Sequence, residues 1–246
     1  MTVNKANILE IFSSIQGEGI YIGYRQLFIR FSGCNLGCKY CDTDFSESEI
    51  CKIEICPGSG NFKNIKNPIT SAQLVHETQR LTYFNHHSIS LTGGEPLLHV
   101  NFLAEFLPEI KKNSGLKIYL ETNGSLFKKL QDLVEYIDII SMDIKLASST
   151  GTETPWFEHG KFAQTAIANK KEIFLKAVVT NKVQPSELKE IGEFAKLHKV
   201  PLILQPASQR ELSLSPEDLL RIQEVLLKEL KEVRIIPQTH KYLNLM

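Results

Sequence analysis

Beyond residue 70 the chain alternates short apolar runs, bounded by polar residues, with longer stretches in which apolar positions return every three or four residues. The alternation repeats at intervals of roughly 20–35 residues, the rhythm of successive βα units. It predicts strands over 25–31 (RQLFIRF), 88–92 (SISLT), 117–121 (KIYLE), 137–143 (IDIISMD), 172–179 (EIFLKAVV), 201–205 (PLILQ) and 232–236 (EVRII), with a further short one over 7–12. Helices are predicted over 70–82, 99–113, 125–136, 158–170, 186–198 and 215–230. The last opens on Ser215-Pro216-Glu217-Asp218, a capping serine followed by proline and acids. Strands separated by helices in this way pair in parallel.

The faces of these strands say more than their number. Side chains alternate across a strand, so Ser88, Ser90 and Thr92 share one face while Ile89 and Leu91 share the other. Lys117, Tyr119 and Glu121 oppose Ile118 and Leu120 in the same way, and Ser141, Asp143 and Lys145 oppose Ile140, Met142 and Ile144. Lys176, Gln205 and Arg234 interrupt otherwise apolar strands. A parallel sheet between two apolar layers reads as nearly continuous hydrophobic runs, and a closed eight-stranded barrel fills its interior with branched apolar side chains. This pattern instead describes a sheet curved around something polar. The fold class it predicts is α/β, a partial (incomplete) TIM-type βα barrel of about six parallel strands, with the working residues at the C-terminal strand ends. One or two wet edge strands are the plainer alternative.

The chain shows no repeat, low-complexity tract or interdomain linker, and residues 1–246 read as one domain. The irregular stretch is 44–69, too long for an ordinary connection and carrying Pro57, Gly58, Gly60 and Pro68; it reads as an inserted loop or small hairpin, in the position of a lid. A 246-residue chain with 42% hydrophobic residues can bury a full core. Its 28 basic and 28 acidic residues balance, so no global field draws it to nucleic acid or a membrane surface, and a small-molecule partner is expected. The start MTVNKANILEIF has no signal-peptide character and no apolar run approaches bilayer length, which reads as cytoplasmic. His86, His87 and His198 read as surface residues, and Trp156, beside Pro155, as a loop residue at a subunit contact.

Five cysteines in such a chain argue against a disulfide scaffold, and three of them fall within eight residues. Cys34-Asn-Leu-Gly-Cys38-Lys-Tyr-Cys41 lets one short loop wrap three thiolates around a compact metal centre, with Gly33 and Gly37 permitting tight turns. Thiolates select zinc or iron–sulfur clusters; structural zinc takes four closed ligands, whereas three leave one iron of a [4Fe-4S] cube open. A zinc site completed by Cys51, Cys56 or a histidine is the alternative. Thr92-Gly93-Gly94-Glu95-Pro96 closes a strand, where two glycines allow close backbone approach to a ligand and the carboxylate accepts from an ammonium group.

The cysteine loop resembles the cluster-binding motif of the radical S-adenosylmethionine (SAM) superfamily, and Gly93-Gly94-Glu95-Pro96 resembles the segment with which that superfamily holds the amino group of SAM. The resemblance implies the radical SAM fold, a [4Fe-4S] cluster on Cys34, Cys38 and Cys41, and SAM whose methionine chelates the open iron and which one electron cleaves to a 5′-deoxyadenosyl radical. It places Tyr40 near the adenine. It also implies ribose and carboxylate contacts from Asn123 of Glu121-Thr-Asn-Gly124, from Ser141, Asp143 and Lys145, and from Gln205, Pro206, Ala207 and Ser208.

Ser14-Ile15-Gln16-Gly17-Glu18-Gly19, Arg30-Phe-Ser-Gly33-Cys34-Asn35-Leu36, Cys41-Asp42-Thr43 and the tail Gln238-Thr-His240-Lys241 together resemble the 7-carboxy-7-deazaguanine synthases, from about residue 8 to the C-terminus with 44–69 poorly matched. That resemblance implies 6-carboxy-5,6,7,8-tetrahydropterin as substrate, contacted by Ile15, Gln16, Gly17, Glu18, Arg30, Thr92, Glu121 and His240, and Mg²⁺ held with the help of Thr43. A carboxylate for Arg30 and a guanidine-like edge for Glu18 and Glu121 make chemical sense of the set. It further implies a homodimer and an electron donor such as flavodoxin or ferredoxin. Many members carry Ser-Pro-Lys where this chain has Asp143-Ile144-Lys145, and Cys51 and Cys56 match no family role. A glycyl-radical-enzyme activase shares the cysteine spacing, and a metal-stabilised interaction module is the non-catalytic alternative.

Overall fold

Apolar runs rich in Ile, Leu, Phe and Val fold as strands flanked by amphipathic helices. The computed structural model describes residues 3–38, 41, 46–243 and 245. Its strands are β1 (Lys5–Ala6), β2 (Ile8–Ile15), β3 (Arg25–Phe31), β4 (Ile50–Glu54), β5 (Phe62–Lys66), β6 (Ile69–Thr70), β7 (Ser88–Gly93), β8 (Lys117–Thr122), β9 (Ile139–Asp143), β10 (Glu172–Val179), β11 (Leu202–Pro206) and β12 (Val233–Ile235). The α-helices are α1 (Ser71–Thr82), α2 (Val100–Ser114), α3 (Phe127–Gln131), α4 (Ala147–Thr150), α5 (Trp156–Ala168), α6 (Pro185–His198), α7 (Pro216–Leu227) and α8 (Thr239–Tyr242).

Ten strands make one sheet in the order β12-β11-β10-β9-β8-β7-β3-β2-β4-β5. From β12 to β3 every pairing is parallel, the partial βα barrel expected from the alternation. The N-terminal strand β2 then runs antiparallel to β3, and the β4–β5 hairpin, which occupies most of the irregular stretch, extends the sheet beyond β2. The short pair β1–β6 lies apart from it.

Helix ends follow local chemistry. Thr70 and Gln73 form a reciprocal capping box on α1, Ser215 Oγ accepts from Asp218 N at 3.1 Å at the start of α7, and Gly115, in the left-handed region at φ 66°, closes α2. The helix expected over 125–136 is shorter: α3 stops at Gln131 and a 3₁₀ turn follows at Val134–Tyr136. The Lys111 ammonium explains the tightening. It bonds the Tyr136 carbonyl at 3.0 Å and both oxygens of Asp138, whose Oδ2 also accepts from Ile118 N at 2.7 Å, so the chain is pinned where it must turn into β9.

Two apolar regions flank the sheet. The larger joins Ile89, Leu91, Ile118, Leu120, Ile140 and Met142 to helix residues such as Leu103, Phe106, Phe162 and Ile191, all fully buried. The smaller groups Tyr119, Ile139, Phe174 and Ile203, packed against Ile20, Tyr21 and Ile236. These belong to the other strand face, the one that carries Glu121, Ser141, Lys176 and Gln205 further along. The inner face is thus apolar at its floor and polar at its rim. Each buried aromatic or branched side chain contributes about 1.5–3 kcal/mol, so the floor is a rigid base for the rim.

Four expectations are corrected. His86 is buried, its Nε2 2.8 Å from Ser13 Oγ, which also accepts from Arg25 Nε at 3.0 Å; the serines at 13 and 14 therefore sit inside β2, which runs to Ile15 and past the expected 7–12. His87 packs its ring against Tyr21 and Tyr24, with centroids 4.9 and 4.5 Å away. Trp156 opens α5 rather than lying in a loop, and packs on Phe194 at 5.5 Å with Nε1 donating to Glu190 Oε2 at 3.0 Å.

His159 on α5 is fully buried beneath the end of β8, and its Nε2 donates to the Asn123 carbonyl at 3.0 Å. Burial holds its ring down to about 4 from 6.5. Between those values the unfolded chain binds a proton that the native chain does not, so stability is expected to fall as pH drops from 6.5 towards 4, by at most about 3 kcal/mol. Urea unfolding across this range, compared with His159→Gln, checks it: the variant is expected to lose most of that pH slope, and an unchanged slope contradicts the assignment.

Candidate active site

The C-terminal ends of β3 and β7–β11 open into a cavity of about 840 Å³, at the upper end of the ~300–1,000 Å³ usual for small-molecule sites. The strand register sets its polar rim: Glu10 lies opposite Arg30 and Arg30 opposite Thr92, while Glu121 lies opposite Ser141 and Asp143 opposite Lys176.

On one side Arg30 is fixed before any ligand arrives. Its Nε donates to Glu10 Oε1 at 2.6 Å, and its guanidinium lies 5.5 Å from the centroid of Phe12, itself stacked on Phe28 at 5.2 Å. Thr92 Oγ1 donates to Glu121 Oε2 at 2.7 Å, and Glu121 Oε1 accepts from Gln16 Nε2 at 2.9 Å. Gln16 Oε1 in turn accepts from Glu18 N at 3.0 Å, so the turn after β2 is tied to the end of β8.

The C-terminal turn closes over that loop. Thr239 N and Oγ1 donate to the Gly17 carbonyl at 2.9 and 3.1 Å, and Gln238 Nε2 donates to Glu18 Oε1 at 2.7 Å. A Cβ on Gly17 would lie 2.2 Å from His240 Nδ1, so only glycine lets the histidine seat there. Lys241 Nζ reaches Ser208 Oγ at 2.7 Å, joining the tail to the end of β11.

Across the cavity stand Cys34, Cys38 and Cys41, all lining it. Gly33, at φ +77°, turns the chain into their loop. Gly94 is needed for a different reason: a Cβ there would lie 1.7 Å from the Gly33 carbonyl oxygen, the same oxygen that accepts from Glu95 N at 2.8 Å. Asn35 Oδ1 accepts from Asn123 Nδ2 at 2.9 Å, so the cysteine loop is fastened to both β7 and β8. Burial holds the Cys34 and Cys38 thiols above their ordinary value. Gly37 has open space around it and no positive φ, so nothing there requires glycine.

Almost all of the expected site residues meet here. Ile15, Gln16, Gly17, Glu18, Arg30, Thr92, Glu121 and His240 line the cavity, as do Gly93, Gly94, Asn123, Ser141, Asp143, Lys145 and the run from Gln205 to Ser208. Glu95 does not. It is fully buried, Oε1 accepting from Thr122 Oγ1 at 2.9 Å and Oε2 from Asn123 N at 2.8 Å, so its carboxylate braces the loops, while Gly93 and Gly94 line the cavity. Tyr40 and Thr43 lie outside the described residues. The structure adds Glu10, Lys176 and Gln238 to the set, and Ser48, Ile50 and Lys52 bring the hairpin to the cavity wall.

The zinc alternative finds no support. Cys51, the fourth ligand that reading would need, is buried in the core on β4, and Cys56 is exposed in the hairpin turn; neither lines the cavity with the three thiols. The donor set does suit a cluster with SAM. Three thiols share one wall, a glycine pair offers bare backbone beside them, and buried Asp143 Oδ1 and Gln205 Oε1, which line the cavity, find no hydrogen-bond partner among the described residues. Such orphaned acceptors suit the hydroxyl and amino donors of a nucleoside.

A partial barrel whose strand ends converge on three thiols of one loop is the architecture of a radical SAM domain, and residues 28–154 match the Radical SAM superfamily. The chain is 43% identical over 247 residues to a 7-carboxy-7-deazaguanine synthase of Geobacter sulfurreducens, covering 97% of each chain. It is 35% identical to another from Archaeoglobus fulgidus, covering 98% of this chain and 99% of that one. Among solved structures, QueE from Escherichia coli matches with a TM-score of 0.61 at 20% identity over 96% of this chain and 95% of that one. SuiB of Streptococcus suis bound to S-adenosylmethionine matches at 0.59 and 17% identity over 83% and 48%. The chain belongs to the 7-carboxy-7-deazaguanine synthase family, within the radical SAM superfamily. A [4Fe-4S] cluster and SAM are the cofactors that membership brings.

Proposed function

We propose that this chain, acting as one radical SAM domain, converts 6-carboxy-5,6,7,8-tetrahydropterin to 7-carboxy-7-deazaguanine and ammonia, in the biosynthesis of 7-deazapurines such as queuosine and archaeosine. The observation that carries the reading is the juxtaposition, in one cavity, of the three-thiol wall with a fixed arginine and the Gln16–Glu121–Thr92 network. When bound, the cluster and SAM would supply radical hydrogen-atom chemistry at C6 of the pterin, with SAM regenerated, and Mg²⁺ would assist the ring contraction.

The protein's own part is binding, aim and exclusion of water. Arg30, held by Glu10 and Phe12, presents its remaining N–H groups to the pterin carboxylate as a fork. Glu18 and Glu121 accept from the guanidine-like edge, and Thr92 fixes Glu121. His240 and the C-terminal turn cover the ligand, and the Thr43 hydroxyl helps to hold Mg²⁺. Lys145 takes the carboxylate of SAM, while Asn123, Ser141, Asp143 and the Gln205–Ser208 run take its nucleoside. The protein works as a cytoplasmic homodimer and receives its electron from a flavodoxin or ferredoxin. Among the described residues no helix is long and apolar enough to cross a membrane, which is compatible with that setting.

Anaerobically reconstituted protein given reductant, SAM, Mg²⁺ and the carboxytetrahydropterin is expected to form 7-carboxy-7-deazaguanine. Cleavage of SAM with no deazaguanine formed contradicts the substrate. Arg30→Met is expected to raise KM for the pterin by about 10- to 100-fold, the worth of a charge-assisted contact, with kcat within about threefold. A large fall in kcat at unchanged KM contradicts a ground-state carboxylate contact.

A further inference from the structure

Lys176 is 8% exposed in an otherwise apolar stretch of β10. Its ammonium lies between two carboxylates from distant parts of the chain. It pairs closely with Glu18, on the turn after β2, and lies 3.6 Å from Asp143 Oδ2 at the end of β9. The two are not equally dependent on it. Lys145 gives Asp143 a second ammonium at 2.9 Å, whereas the other groups facing Glu18 are the Gln238 amide at 2.7 Å and the His240 ring; Glu121 faces Lys176 from β8, and Tyr119 faces Glu18 from the cavity floor.

We propose that Lys176 is a positioning residue: its ammonium, anchored against Asp143, holds the Glu18 carboxylate in place for the guanidine-like edge of the pterin. Burial alone would push Glu18 up, but the ammonium beside it, with the bond from Gln238, overrides burial and holds it at about 2. A carboxylate has about four acceptor sites, so one ammonium and one amide leave it able to receive the ligand. The arrangement also joins the two halves of the cavity, because the same ammonium touches the Asp143 side chain that faces the nucleoside. The inference rests on the pterin reading.

Its test uses cluster-loaded protein kept anaerobic and 6-carboxypterin, the oxidised fluorescent relative that cannot react, titrated between about pH 5.5 and 8.5. Without its cation a buried glutamate titrates within that window. In Lys176→Met the affinity is therefore expected to fall about tenfold or more from the alkaline to the acid end, beyond any slope of the wild type. Lys176→Arg is expected to restore the wild-type profile, and Lys176→Met/Glu18→Gln to lack the extra slope. Failure of Lys176→Met to fold while the double variant folds also supports the pairing. The proposal is overturned if Lys176→Met matches the wild type at every pH, if the extra slope survives in the double variant, or if neither variant folds. A wild type that binds no 6-carboxypterin at any pH overturns the pterin reading, and with it the inference built on that reading.

Discussion

Replacing Cys38 with alanine is expected to remove the cluster's visible absorbance and take product formation to the detection limit, while the apoprotein unfolds within about 0.5 kcal/mol of the wild type. The thiol is half-buried on a loop at the cavity wall and outside the apolar core, and substitutions away from such cores cost little. Its loss leaves a cube with two protein ligands, too few to hold it while presenting one open iron. Cys51 provides the contrast. It is fully buried on β4, so Cys51→Ala is expected to lower stability by about 1 kcal/mol and leave iron content unchanged. Iron analysis with urea unfolding on the two variants separates a ligand from a core residue. Normal iron content in Cys38→Ala, or lost iron in Cys51→Ala, contradicts the assignment.

Gly94→Ala is expected to be nearly as damaging by another route. Its Cβ would overlap the Gly33 carbonyl at 1.7 Å, and because the obstacle is backbone rather than a mobile side chain, the whole cysteine loop must move. The Glu95 N to Gly33 O bond of 2.8 Å goes with it. We expect a loss of about 3 kcal/mol or more and poor cluster loading. Gly37→Ala, three residues further along the same loop from Cys34, has open space around it and is expected to change stability by no more than about 0.5 kcal/mol. Urea unfolding and reconstituted iron content on both variants check this; equal effects would mean that the close approach of β7 to the loop is not what positions the thiols.

What was legible in the sequence was what periodicity and local motifs encode. The alternation of Ser88, Ser90 and Thr92 with Ile89 and Leu91 revealed a polar inner face, and the structure places those hydroxyl residues on it. The cysteine spacing and the glycine pair announced a ligand site because both are local. Contacts that depend on how distant segments meet were not legible. Lys176 stood out in an apolar strand, but nothing local pairs it with Glu18, which lies 158 positions away. Glu10 falls within the short strand expected over 7–12 and carried no local signal; only the register of β2 on β3 sets it against Arg30. Glu95 was misjudged for a similar reason. A carboxylate after two glycines suits an incoming ammonium, yet the end of β8 supplies donors that occupy it first. Ser13 hid the length of β2 because its partners, His86 and Arg25, come from distant parts of the chain.

The division of the barrel interior explains how one cavity can serve two ligands. Tyr119, Phe174, Ile139 and Ile203 fill the floor with Ile20, Tyr21 and Ile236, leaving the rim to polar groups already bonded to one another. Most of those groups are fixed before binding, which reduces the ordering cost at the moment of reaction.

The most direct test of the account is the electron paramagnetic resonance spectrum of the reduced, anaerobically prepared protein with and without SAM. A cluster with one open iron facing this cavity predicts a [4Fe-4S]¹⁺ signal whose g-values shift on adding SAM, in the wild type and not in Cys38→Ala. A wild-type spectrum indifferent to SAM, or a protein that binds zinc and no iron, would contradict it.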